Sequence, residues 1–278
     1  MTTAVPALGR GRRRDPRVAL LQYGPTVLVF VAVIALWEVG VSALDMRVRI
    51  LPAPSAVGAA LGENWSGGRW PLLESTLSTL FEAVGGRVIG TIVGVAVAFV
   101  VARWASAREA VLPVAVAVNA IPIIAAAPLM NNWFGVTSPV SKMMIAALLV
   151  FFPVMINVTR GLSQVEPASL ELMRSYAASE WEVLRKVRLP NALPFFLTAL
   201  KLGTTLSLIG AIVGEYFGGS STVLGRVVVQ SASALRFDVT WAAILLAAIA
   251  GILFYLAISL LERALIPWHA SVRGEEAG

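Results

Sequence analysis

Apolar residues fall in long blocks along this chain, separated by short polar stretches. Six blocks reach the roughly 20 residues that a membrane-spanning helix needs: 25–44, 79–102, 110–130, 141–160, 192–217 and 239–261. The first carries Glu38 as its single charge, the second is uncharged beyond Arg87, and the sixth has no charge. Lys201 and Glu215 interrupt the fifth. The third holds Pro113, Pro122 and Pro128. A proline inside a helix removes a backbone hydrogen bond and clashes with the preceding turn, so this block is expected to kink or break. The pattern predicts an all-α integral membrane protein with six transmembrane helices.

The stretch between the fourth and fifth blocks, 161–189, departs from that pattern. Pro167 suits the first position of a helix. Leu170, Met173 and Ala177 follow at spacings of three and four, on one helical face. Ser179 and Glu182 stand at the spacing of a capping box, in which hydroxyl and carboxylate each satisfy a free backbone N–H at a helix start. Val183, Leu184 and Val187 continue a second helix. Arg185, Lys186 and Arg188 place cations at its C-terminal end, where the helix dipole favours them. Leu189-Pro190 is expected to stop it. The segment therefore reads as helix, turn, helix; on spacing alone it fits equally a hairpin resting on lipid headgroups.

Composition removes most other chemistry. Of 278 residues 58% are hydrophobic and 14% charged, against about 25% charged in soluble domains, and mean hydropathy is +0.80. Too little polar surface remains to coat a water-soluble fold. Without cysteine there is no thiolate metal site or cysteine nucleophile. The one histidine, His269, follows the last block, which argues against triads and zinc sites. A net charge of +6 would suggest nucleic acid in a soluble protein; here Arg and Lys report orientation, because cytoplasmic loops collect them. With the N-terminus inside, fourteen basic residues fall in inside segments and six (Arg47, Arg49, Arg69, Lys142, Arg226, Arg236) outside. Both termini are expected in the cytoplasm, with 1–24 a basic N-terminal segment, 25–268 the membrane domain and 269–278 a tail. The first block exceeds the 7–15-residue core of a signal peptide and is expected to remain as a helix.

The hairpin carries a family pattern. Glu171-Leu172-Met173, three residues, Ala177, nine residues, then Val187-Arg188-Leu189-Pro190 resembles the cytoplasmic loop of ABC importer permeases, whose pattern is E-A-A, three residues, G, nine residues, I-x-L-P. Leu172 and Met173 stand for the two alanines, and Ala177 for the glycine. Leu51-Pro52-Ala53-Pro54-Ser55-Ala56-Val57, Ile121-Pro122, Ala126-Ala127-Pro128-Leu129, Trp133-Phe134-Gly135, and Phe151-Phe152-Pro153 with Gly161-Leu162 are similar to one branch of that family. That branch serves nitrate, sulfonate and taurine, and also thiamine-precursor pyrimidines and riboflavin. The resemblance covers 36–261. It implies a type I ABC importer permease-like fold in the bacterial cell membrane. It also implies a cytoplasmic ABC ATPase subunit that binds ATP and Mg, an extracytoplasmic substrate-binding protein, and a second permease subunit forming a homodimer. The hairpin turn would dock in a groove of the ATPase. The residues this assigns to the coupling contact are Glu171, Tyr176, Ala177, Ala178, Ser179, Trp181, Leu189 and Pro190, with Tyr176 and Trp181 as aromatic anchors.

The chain has no G-x-x-x-x-G-K-[ST] loop, so ATP would belong to a partner, and no cofactor or metal of its own is expected. Polar groups within the blocks are the candidates for a translocation pathway: Asn119, Asn157, Thr204, Ser207 and Glu215. Pro122 and Pro128 join them, because carbonyls freed by proline are tolerated at membrane depth only against protein or a wet cavity. Glu38 is placed to face the first loop, and Lys201 to snorkel. Gly85, Gly86, Gly90 and Gly94 predict close helix approach. The expected function is the permease subunit of an ATP-driven importer. Its substrate would be a small organic solute: a pyrimidine or riboflavin-like heterocycle, or alternatively an alkanesulfonate, taurine or nitrate. The alternative, a secondary transporter, usually shows an internal repeat with paired broken helices, and the sequence shows neither.

Overall fold

The computed structural model describes residues 16–43, 51–120 and 122–265. In chain order these form α1 (Pro16–Ala43), α2 (Pro54–Glu63), α3 (Leu72–Arg103), α4 (Ala105–Ala120), α5 (Ile123–Phe134), α6 (Pro139–Ser163), α7 (Pro167–Ser175) and α8 (Glu180–Val183). A π-turn (Leu184–Arg188), α9 (Leu189–Phe217), α10 (Leu224–Ser233) and α11 (Phe237–Leu265) complete them. Among the described residues there is no strand. The predicted terminal segments lie largely outside the described residues, as does His269.

Five helical segments are long and apolar enough to cross a membrane: Gly24–Ala43, Leu72–Arg103, Pro139–Ser163, Glu180–Phe217 and Phe237–Ala264. The third predicted span is divided rather than continuous. Pro122 takes the N-cap of α5, where its missing N–H breaks no helical bond, and the chain restarts there as a second helix. Pro113 and Pro128 are carried inside α4 and α5. The second span begins at Leu72, a full two turns before the first residue of the predicted block.

A second correction concerns Leu189-Pro190, which does not end a helix. The chain runs on from α8 through the π-turn into α9, with the Leu189 N–H bonded to the Leu184 carbonyl. The wider turn shifts the backbone register so that Pro190 falls in the first turn of α9, where a proline is tolerated.

The bundle is organised around α6, which packs between α3 and α9 in the two most extensive helix contacts of the chain. In lipid there is no hydrophobic drive between helices, so close backbone packing through small residues takes its place. On one side Gly86, Gly90 and Gly94 of α3 lie against α6; a Cβ on Gly90 would stand 2.6 Å from the Ala147 carbonyl oxygen. On the other side Gly203, Gly210 and Gly214 of α9 meet Val150, Ala146 and Ile145. The partner of the α3 glycine stripe is thus a helix of the same chain. At one end α2, α10 and α11 form a separate apolar cluster with Trp70 and Leu72. Glu38 of α1 holds α2 in place: its carboxylate accepts the Ser55 N–H at 3.0 Å and the Ser55 hydroxyl at 2.7 Å. A carboxylate is favoured at that helix N-terminus.

Candidate functional site

The hairpin between α6 and α9 is built from local sequence. Pro167 starts α7. Its end is a Schellman motif: the Ala178 N–H bonds the Met173 carbonyl at 3.0 Å, and the Ala177 N–H bonds the Arg174 carbonyl at 2.9 Å. Ala177 itself has φ +50°, the left-handed conformation that the motif requires and that glycine fills most easily. Ser179 then opens α8 with a complete capping box: its Oγ accepts the Glu182 N–H at 3.3 Å, while Glu182 Oε2 accepts the Ser179 N–H at 3.0 Å. Two helix ends are therefore closed within a few residues, and the turn between them is rigid.

That rigid turn presents its aromatic residues outward. Tyr176 is 74% exposed and Trp181 65% exposed. Glu171, Ala177, Ser179, Leu189 and Pro190 are exposed and Ala178 is half-buried. At the base, Gly161 of α6 sits against Ala192 of α9, where an added Cβ would lie 2.6 Å from the Ala192 Cα.

The predicted pathway residues do not gather in one place within this chain. Thr204 and Ser207 are buried and bond back to their own helix, Thr204 Oγ1 to the Leu200 carbonyl at 2.8 Å and Ser207 Oγ to the Thr204 carbonyl at 2.9 Å. Asn157 likewise donates to the Pro153 carbonyl at 2.8 Å. Pro122 and Pro128 are exposed on α5. Asn119 lies in α4 at the break, and Ile121 lies outside the described residues. Glu215 is fully buried at the end of the bundle opposite the hairpin, where its Oε2 accepts the Gly225 N–H at 2.7 Å. Asn157 lies fifteen residues along α6 from Lys142, the neighbour of Gly214; at 1.5 Å per residue that is roughly 22 Å from the Glu215 end.

The sequence profile of the family described as "Binding-protein-dependent transport system inner membrane component" matches residues 90–269. This chain belongs to that family. It is 31% identical, over 93% of its length and 97% of the relative's, to the riboflavin transport system permease protein RibX of Chloroflexus aurantiacus. It is 29% identical, over 87% of its length and 94% of the relative's, to the formylaminopyrimidine transport permease protein ThiX of Halalkalibacterium halodurans. Among solved structures, an amino acid ABC transporter matches with TM-score 0.58 at 19% identity, over 70% of this chain and 94% of that one. The fold is that of the type I ABC importer permeases, and the chain is a membrane subunit of a transporter.

Several charges in this permease sit where sequence reasoning did not place them. Lys142, counted among the loop cations, is fully buried in α6. Lys201 does not snorkel; it pairs with Glu262 of α11, which is 7% exposed. Asn191 holds the base of the hairpin. Glu82 and Asn131 are buried with polar atoms that have no partner. Lys142 lies beside Gly214 of α9, a placement that only the packing register reveals.

Proposed function

We propose that this permease forms the translocation pathway of an ATP-driven importer and couples to a separate cytoplasmic ATPase through the turn 176–181. The observation that carries the reading is the outward display of Tyr176 and Trp181 on a turn closed by a Schellman motif and a capping box. Exposed aromatics on a preorganised element are what an interface hot spot requires. In this reading the hairpin end is cytoplasmic, both termini are cytoplasmic, and 161–190 is the coupling segment of a membrane domain spanning 25–268. A substrate-binding protein meets the opposite face. Two copies of the chain pair, so that the broken α4–α5 segment, with Pro122 and Pro128, faces the pathway.

The proposed substrate is a small heterocycle of the pyrimidine or flavin kind. Relatives named for riboflavin and formylaminopyrimidine support this. So does the treatment of intramembrane lysines: Lys201 is neutralised by Glu262, and Lys142 is bound to backbone carbonyls with Glu82 and Glu215 nearby, so neither is offered to an anion. Relatives named for aliphatic sulfonates and taurine supply the competing reading, an organic anion. Titrating the cognate extracytoplasmic binding protein with riboflavin, aminopyrimidines, taurine and alkanesulfonates separates them. Tight binding of a heterocycle alone is expected; binding of the sulfonates alone would replace it.

A further inference from the structure

Because α6 packs between α3 and α9, the three helices leave a groove toward the hairpin end, a cavity of about 180 Å³. Each helix lines it with two residues one turn apart: Val95 and Phe99 from α3, Val158 and Leu162 from α6, Ala192 and Phe196 from α9. Val158 and Leu162 are buried and make the floor, and the flanking helices make the walls. Among the described residues no polar side chain lines the groove.

One turn further toward the hairpin, both walls end in arginine. Arg103, the last residue of α3, follows Phe99 by four residues, and Arg188 precedes Ala192 by four. The floor adds no third residue there, because α6 stops at Ser163. Arg103 is exposed and Arg188 half-buried, and neither makes an ion pair among the described residues. The neighbouring Lys186 differs, being held by Glu182 at 3.2 Å. The two arginines also stand at the edge of the apolar spans. Residues 88–102 of α3 and 189–200 of α9 carry no charge. Trp104, beside Arg103, is 56% exposed, and indole favours the boundary between hydrocarbon and water.

We propose that this groove is a binding site for an anionic phospholipid, with part of an acyl chain on the α6 floor and the phosphate between Arg103 and Arg188. An apolar slot that opens at the boundary between two unpaired guanidiniums complements an amphiphile with an anionic head. Guanidinium offers phosphate a planar fork of N–H donors, and basic residues beside a span are where anionic headgroups are held. A zwitterionic lipid brings its own cation to the phosphate and gains less from the arginines. The site needs only that the chain spans a membrane. It depends neither on the substrate nor on which side of the membrane the hairpin lies.

Native mass spectrometry of the full-length permease, stripped of lipid in detergent, tests it by titration with phosphatidylglycerol and with phosphatidylcholine. An arginine beside an anionic headgroup is worth about fivefold in affinity, so the wild type should hold phosphatidylglycerol about thirtyfold more tightly than phosphatidylcholine. Arg103→Gln and Arg188→Gln should each remove about fivefold of that preference. Arg69→Gln, before the start of α3 at the opposite end of the bundle, should leave it unchanged. Val95→Trp fills the groove and keeps both arginines, and should weaken binding of both lipids. Equal affinity for the two lipids in the wild type, a measurement that needs no variant to fold, would overturn the proposal. So would an undiminished preference in the double variant Arg103→Gln with Arg188→Gln, or wild-type binding by Val95→Trp. Displacement of phosphatidylglycerol by the cognate ATPase would assign the mouth of the groove to that partner and overturn it too.

Discussion

Asn191 reaches back thirty residues to Gly161, donating from its side-chain amide to the Gly161 carbonyl at 2.7 Å. The same amide donates to the Gln164 carbonyl at 3.0 Å. These carbonyls belong to the last turn of α6, which has no further helical N–H to offer them. One side chain therefore ties the end of α6 to the start of α9, and a push on the hairpin turn is delivered to both helices rather than absorbed at the base. Asn191→Ala should cost about 1 kcal/mol in stability and speed amide exchange across 164–179. Exchange mass spectrometry beside thermal melts reads both. Unchanged exchange would mean that the clamp does not hold the hairpin.

Glycines on α3 and α2 predict opposite outcomes on substitution. Gly90→Val drives side-chain atoms into the α6 backbone at Ala147. Overpacking of this kind costs about 1–3 kcal/mol, and the helices must separate, so detergent melting should fall and aggregation rise. Gly58 on α2 has nothing within 4 Å of an added Cβ. Gly58→Ala should raise stability by roughly 0.5–1 kcal/mol, through the lower entropy of the unfolded chain.

Lys201 and Glu262 join α9 to α11 as an ion pair largely out of solvent. Removing one partner of a buried pair costs about 3–5 kcal/mol, because the other charge stays behind. Lys201→Met should lower the melting temperature sharply. Adding Glu262→Gln in the same chain should recover much of the loss. A Lys201→Met variant that melts like the wild type would show that the pair is solvated.

What the sequence discloses about this fold is whatever depends on near neighbours. The apolar blocks mark the spans because crossing lipid is a property of a continuous stretch. The capping box at Ser179 and Glu182 is legible for the same reason, its partners being three residues apart. The start of α3 is hidden because Leu72, Ser75, Thr79 and Glu82 face other helices instead of lipid, so polar residues dilute the apolar signal there. Pro190 reads as a stop because proline rules describe a regular α-helix, whereas a π-turn lets the chain pass it. Lys201 with Glu262 is a pairing across helices, set by how α9 and α11 lie together. Local spacing holds no record of that register.

The hairpin turn is the proposed contact with an ATPase, and Ala177 is the residue that tests it most directly. Ala177 is exposed and already adopts a left-handed backbone, so a substitution there changes the surface with little effect on the fold. Ala177→Gly should relieve the strained backbone, worth about 1 kcal/mol, and leave association intact. Ala177→Glu places a charge between Tyr176 and Trp181 where a partner must desolvate it. Association should fall by thirtyfold or more, the scale of roughly 2 kcal/mol at an interface hot spot. The measurement is co-purification of the cognate ATPase with each variant from detergent-solubilised membranes, with equal amounts of folded permease. Wild-type recovery of the ATPase is expected with Ala177→Gly and little or none with Ala177→Glu. Equal recovery with both would contradict it and make the hairpin a surface element that rests on lipid.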